Sequence, residues 1–316
     1  MGRLWTHIGR VLGAALLFAL PTISIAASAP PSRVTPALWR VHNGTSTVYL
    51  FGSLHILPPT YHWTTPEIER AMNASDLFIF EVPVDEAALK DQKAFIVEHG
   101  LLPLHQSLRA ILTANEFQTY SAVLRRAGLK PELFEHYRPW LAAVMVGLAY
   151  LHRDDLVTLK GADDELIAYA HDHGKKSIYL ESIREQMELL TNGDDNGHVK
   201  ALKNLILSLP QSRTQEKELF ETWSSGDATR FAALLDGYFK DRPEAKEFLV
   251  DRRNRDWLGP LKQALGRPGG TAMMTVGAAH IGGEKGLLAL LCGEGYDVER
   301  VAESGTAAAK VCGAGA

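Results

Sequence analysis

Short apolar runs and the period of the residues around them divide this chain into strands and helices. Leu38–His42 and Thr47–Phe51 are strand-like runs on either side of Asn43-Gly44, and Asn-Gly between two such runs predicts a β-hairpin. Asp76–Phe80, Lys176–Leu180, Thr271–Val276 and Asp297–Val301 read as further strands. Elsewhere the apolar positions recur at helical spacing. Thr65 precedes Pro66 as a cap before a first-turn proline. Asp85 caps a helix running to about Glu98. Thr113–Arg126 is amphipathic and stopped by Gly128, and Pro139–Leu151 is apolar enough to be buried. Asp163–His171, Val199–Leu209, Thr214–Ser224 and Asp227–Phe239 follow, then a long helix from about Glu244 to Leu265, and finally Glu284–Leu291. Strands at both ends around a helical middle predict an α/β domain over residues 37–304. Its central mixed sheet is built from the N- and C-terminal strands, with a large helical insertion at about 100–260 and a tail at 305–316.

The N-terminal pattern is of another kind. Arg3 and Arg10 flank the apolar run Val11–Leu20, and small residues follow at Ser24-Ile25-Ala26. That is the signature of a secretory signal peptide over Met1–Ala26. The apolar run is short for a membrane span, so the mature chain is expected to carry no stable one and to be periplasmic or secreted. Ala27–Pro36 reads as a linker. Losing Arg3 and Arg10, with no acidic residue in the segment, takes the net charge from −4 to −6. That balance argues against nucleic acid as a partner. Export also gives the two cysteines, Cys292 and Cys312, an oxidising compartment, so a disulfide between them is expected.

The chemistry gathers at strand ends. Gly52-Ser53-Leu54-His55 closes one predicted strand and Gly277-Ala278-Ala279-His280 closes another. Glu81 and Glu181 stand in the same position after two more. In an open α/β sheet with parallel strands, such ends meet at the edge where ligands bind. His55, Glu81, His280 and Glu181 together suit a divalent metal ion with one position left for water. Such an ion generates hydroxide near neutral pH and polarises a carbonyl. Without an ion, the same carboxylate and histidine suit a general base and its orienting partner. Arg252, Arg253 and Asn254 are consecutive in a helix, where each step turns about 100°, so at most one or two of them face a cleft. No Gly-x-Ser-x-Gly elbow, P-loop, dinucleotide fingerprint or His-Glu-x-x-His helix is present.

Taken in order, Leu38–His55, Leu77–Glu81, Gly161-Ala162-Asp163, Leu180-Glu181-Ser182 with Gln186, Arg253-Asn254, Val276–His280 and Gly286–Val301 resemble the TraB/GumN family, which includes the TIKI proteases. The resemblance implies a fold related to the erythromycin-esterase and ChaN-like proteins. It also implies a metal-dependent hydrolase site on the paired Gly-x-x-His motifs and the glutamate. By that carry-over His55, Glu81 and His280 are the catalytic set, with Arg253 and Asn254 in support. The substrate is expected to be a peptide or small molecule. The contrasting expectation is a non-catalytic periplasmic protein that sequesters such a ligand in the same cleft.

Overall fold

A computed structural model describes residues 34–57, 61–152, 160–302 and 308–313. The expected signal segment and most of the expected linker lie outside the described residues. Two compact units emerge. One comprises Pro83–Leu159 and Ser182–Glu218 and is mainly helical among its described residues; the other comprises Ala29–Val82, Lys160–Glu181 and Leu219–Ala316 and contains the sheet.

Among the described residues the sheet has seven strands in the order β4-β3-β5-β2-β1-β6-β7. They are β1 (Leu38–Asn43), β2 (Ser46–Ser53), β3 (Leu77–Phe80), β4 (Lys176–Tyr179), β5 (Thr271–Gly277), β6 (Asp297–Arg300) and β7 (Ala309–Cys312). β2, β3, β4 and β5 run parallel, whereas β1, β6 and β7 pair antiparallel with their neighbours. The sheet is therefore mixed, as expected. β5 sits between β2 and β3, with Gly52 opposite Val276 and Phe80 opposite Thr275.

Period-2 alternation sorts the side chains between the two faces. Val48, Leu50, Leu77, Ile79, Ala272, Met274 and Val276 join one core with Trp257, Leu261 and Leu265 of helix Arg252–Leu265 and with Leu287 and Leu291 of helix Leu287–Gly293. On the opposite face Phe51 stacks on Trp63 with ring centroids 5.1 Å apart, and Phe78 meets Tyr169 at 6.0 Å. Burying each such side chain stabilises by about 1.5–3 kcal/mol. The core thus fastens helix Arg252–Leu265 along the strands that lead to the site.

The structure corrects several expectations. Within the region at about 100–260, helix Ala162–Asp172 and the expected strand β4 belong to the sheet unit. Val199–Leu209 and Thr214–Ser224 are parts of one helix, Asp195–Ser224. The expected long helix starts as Pro243–Lys246, widens into a π-turn over Glu247–Asp251 and continues as Arg252–Leu265. Such turns recur at functional sites, and Arg253 is the second residue beyond this one. The hairpin turn is centred on Gly44-Thr45, since Asn43 pairs with Ser46 and Gly44 takes φ +60°.

The described part of the tail forms a strand that the apolar runs do not predict. β7 returns antiparallel to β6, and Cys312 reaches Cys292 with a Cα–Cα distance of 5.7 Å. The pair is a disulfide closing a short loop, a constraint of about 3 kcal/mol in the chain-entropy picture.

Candidate functional site

Because β2, β3, β4 and β5 are parallel, their C-terminal ends share one sheet edge, and His55, Glu81, Glu181 and His280 each follow one of them. Every residue of the arrangement belongs to the sheet unit. Its centre is Arg253, whose side chain is only 5% exposed. The guanidinium donates to Glu81 Oε2 at 2.7 Å, to Glu181 at 2.7 and 3.0 Å, and to the Leu249 carbonyl at 3.1 Å. It lies 4.5 Å above the Trp257 ring, an attractive cation–π placement. Glu81 Oε1 accepts the Gly277 backbone N–H at 2.6 Å.

The protonation pattern of His280 follows from its partners. Arg253 NH1 lies 3.1 Å from His280 Nε2, and a guanidinium only donates, so Nε2 accepts. The ring proton therefore sits on Nδ1 and is donated to Asn254 Oδ1 at 2.7 Å. Asn254 in turn donates through Nδ2 to the Lys285 carbonyl at 2.9 Å, which fixes the orientation of its amide. Both Arg253 and Asn254 thus serve the site, while Arg252 points outward beside Asp256.

His55 has a partner that the strand-end pattern did not single out. Its Nδ1 lies 2.9 Å from Asp163 Oδ2 at the start of helix Ala162–Asp172. Gly161 makes that approach possible: a Cβ there would come within 2.5 Å of the His55 backbone. Backbone bonds from Ala162 to Leu54 and from Leu57 to Lys160, both 3.0 Å, hold the two segments together. The available signal for Asp163 was Gly161-Ala162-Asp163 at a helix start, and it carries no indication that the partner is His55.

Gly277 marks the point of convergence. A Cβ placed on it would lie 3.3 Å from His55 Nε2, 3.4 Å from Glu81 Oε1 and 3.7 Å from His280 Cδ2. The two histidines and the glutamate therefore border one small hollow. Gly52 serves packing instead, since a Cβ there would meet the Ala278 backbone at 3.0 Å. One glycine lets the two Gly-x-x-His units approach each other, and the other leaves room at the site.

The charges follow from burial and neighbours. Burial alone pushes the Glu81 carboxyl up, but Arg253, then His280 and His55, outweigh it and hold it at about 2. Burial and then Arg253 depress His280 to about 3, so it is neutral at ordinary pH. Burial works to lower His55, but Asp163, by charge and hydrogen bond, with smaller contributions from Glu81 and Asp164, raises it to about 9. Glu181 is pushed up by burial and by the Glu81 charge despite its bonds to Arg253. Two carboxylates share one guanidinium, and Glu81 is the more firmly ionised.

These shifts predict a stability optimum. The depressed Glu81 contributes above its ordinary 4.5 and loses that contribution as pH falls towards 2. His280, kept neutral, contributes above 6.5 and loses it towards 3. His55, raised, contributes fully below 6.5 and loses it as pH rises through about 9. Urea midpoints are expected to peak near pH 6.5 and fall on both sides, with the alkaline decline absent in His55→Gln. Midpoints that stay level between pH 6.5 and 9 in the unmodified chain would contradict the His55 assignment.

The expected metal set does not fit this arrangement. Both oxygens of Glu81, both oxygens of Glu181 and both nitrogens of His280 are already engaged, all but two of those contacts by Arg253. His55 Nε2 is the remaining ring nitrogen facing the hollow. Among the described residues, no three His, Cys, Asp or Glu side chains are grouped to hold one ion. A guanidinium stands where a metal ion would balance the carboxylates.

A mixed sheet whose parallel strands carry histidine and carboxylate at their C-terminal ends defines an α/β protein with a polar site at that edge. The TraB/PrgY/gumN family model matches residues 37–300, and the chain belongs to that family. It is similar to the uncharacterized protein YbaP of Escherichia coli (strain K12), 23% identical over 212 residues, covering 64% of this chain and 78% of that one. The YbaP protein of Shigella flexneri matches to the same extent. No solved structure matches.

Proposed function

We propose that this chain is an exported hydrolase, peptidase-like in substrate class, acting at the sheet edge beside Gly277. The observation that carries the reading is the convergence of His55 Nε2, Glu81 Oε1 and His280 on one hollow that only a glycine leaves open. Export is supported by the leader-like N-terminus and by the Cys292–Cys312 bridge, which suits an oxidising compartment.

In this reading a water in the hollow donates a hydrogen bond to the ionised Glu81 carboxylate. As its oxygen attacks the substrate carbonyl carbon, Glu81 takes its proton. His55, protonated at neutral pH, presents Nε2–H first to the carbonyl oxygen where charge develops and then to the departing amine. Arg253 keeps Glu81 ionised and aimed, and Asn254 holds His280 in the tautomer that accepts from Arg253. No step is routed through a metal ion.

The test is cleavage of a peptide library by periplasmic protein, with and without chelator, alongside its metal content. Turnover that chelation leaves unchanged is expected. Glu81→Gln, nearly unchanged in shape, is expected to lower kcat by about 10²-fold or more. Tight ligand binding without turnover would instead identify a sequestering protein. Turnover abolished by chelation and restored by one divalent ion would restore the metal reading.

A further inference from the structure

We infer that Asp163 is the positioning residue of this site: its carboxylate holds His55 by the Nδ1 proton, so that Nε2 is the ring atom presented to the hollow beside Gly277. The kinetic consequence rests on the hydrolase reading, whereas the geometric one does not.

A histidine at a strand end has two non-equivalent nitrogens, and the hydrogen bond made by one decides what the other offers. His55 makes that bond to Asp163 Oδ2 at 2.9 Å, while its Nε2 is 3.3 Å from the point a Gly277 Cβ would occupy. The other charged and titratable groups facing the ring are Glu81, Asp164 and His280. Of these, only Glu81 and His280 border the hollow.

Asp163 does not serve the helix it begins. The backbone N–H of Gly161, at the N-cap position, is bonded by Asp164 at 2.9 Å, and Glu165 accepts the Trp63 indole N–H at 3.0 Å. Three successive acids thus have three separate tasks, and that of Asp163 is His55. Its second oxygen, Oδ1, is buried with no hydrogen-bond partner among the described residues. A side chain kept only for folding would gain from a second partner, whereas this one is held for a single contact. The absence of a Cβ at Gly161, where one would overlap the His55 backbone, is what brings the carboxylate within reach.

The experiment uses full-length exported protein with 15N-labelled histidine, the His55 signals being identified by their loss in His55→Gln. A slowly exchanging Nδ1 proton shifted far downfield by its charged acceptor is expected. In Asp163→Asn that shift should collapse while the fold persists, because Asp164 still caps the helix. On a cleaved peptide, Asp163→Asn is expected to lower kcat by about 10²–10⁴-fold with KM little changed, as when the orienting acid of a catalytic histidine is neutralised. Asp163→Glu is expected to recover part of the loss. An unchanged His55 signature in Asp163→Asn overturns the inference, as does a variant that loses stability while keeping its kcat per folded molecule. If no peptide is cleaved by any form, the hydrolase reading fails, and the resonance alone decides the role of Asp163.

Discussion

Replacing Arg253 with methionine is expected to destabilise the sheet unit by roughly 3–5 kcal/mol, the usual cost of removing one partner from a buried ion pair. The guanidinium is the charge partner of Glu81, 7% exposed, and of Glu181, 13% exposed. Without it both carboxylates lose their guanidinium counter-charge in a low-dielectric setting, and the Gly277 N–H bond to Glu81 is a neutral one. The shape-conserving methionine isolates this charge effect from cavity formation, although the stacking of the guanidinium on Trp257 is lost with it. Arg253→Lys is expected to recover only part of the loss, since one ammonium cannot span the partners that the planar fork reaches. The measurement is urea unfolding followed by circular dichroism. Adding Glu81→Gln and Glu181→Gln to Arg253→Met should restore much of the stability, because the uncompensated charges are then gone. A methionine variant within about 0.5 kcal/mol of the parent, the range of ordinary surface substitutions, would show that Arg253 is not the buried counter-charge.

Gly277→Ala is expected to leave the fold nearly intact and to lower turnover sharply. The backbone at Gly277, φ −52° and ψ 141°, suits alanine. The added methyl would touch His55 Nε2 at 3.3 Å and Glu81 Oε1 at 3.4 Å, filling the space assigned to water. A stability change of about 1 kcal/mol is expected, at the low end of overpacking. The accompanying loss in kcat is about 10²-fold or more, since displacing a reacting atom by an ångström has that effect. Gly52→Ala is the contrast. Its methyl would meet the Ala278 backbone at 3.0 Å, so it should cost stability by about 1–3 kcal/mol through packing. Thermal melts and initial rates on a cleaved peptide separate the two variants. Full activity in Gly277→Ala would remove the hollow as the place of reaction.

The absence of a fitting metal arrangement changes how the paired Gly-x-x-His motifs are understood. Histidine beside carboxylate is ambiguous by residue type, since the same groups bind ions and move protons. What distinguishes the two cases here is the hydrogen-bond inventory. A guanidinium saturates Glu181 and takes one contact each from Glu81 and His280, leaving His55 Nε2 exposed to the hollow. The motifs then frame a polar site whose carboxylates are balanced by Arg253.

Much of this arrangement is legible along the chain. Six of the seven strands lie close to where their apolar runs place them, and Thr65, Asp85 and Thr113 cap the helices they precede. Those features are local: a period of two or of 3.6, a short side chain that satisfies a helix end, and a glycine that permits a turn. The two Gly-x-x-His units, Glu81, Glu181 and the cysteine pair are equally visible, because each is a residue type at a recognisable position. Only the tertiary structure decides what they become. β5, nearly two hundred residues after β3, enters between β3 and β2 and brings His280 beside Glu81 and His55. Asp163 and Arg253 acquire their partners over separations of 108 and 172 residues. Side-chain pairing at such range depends on strand order and direction and on which helix packs over which strand end, and no local period encodes these.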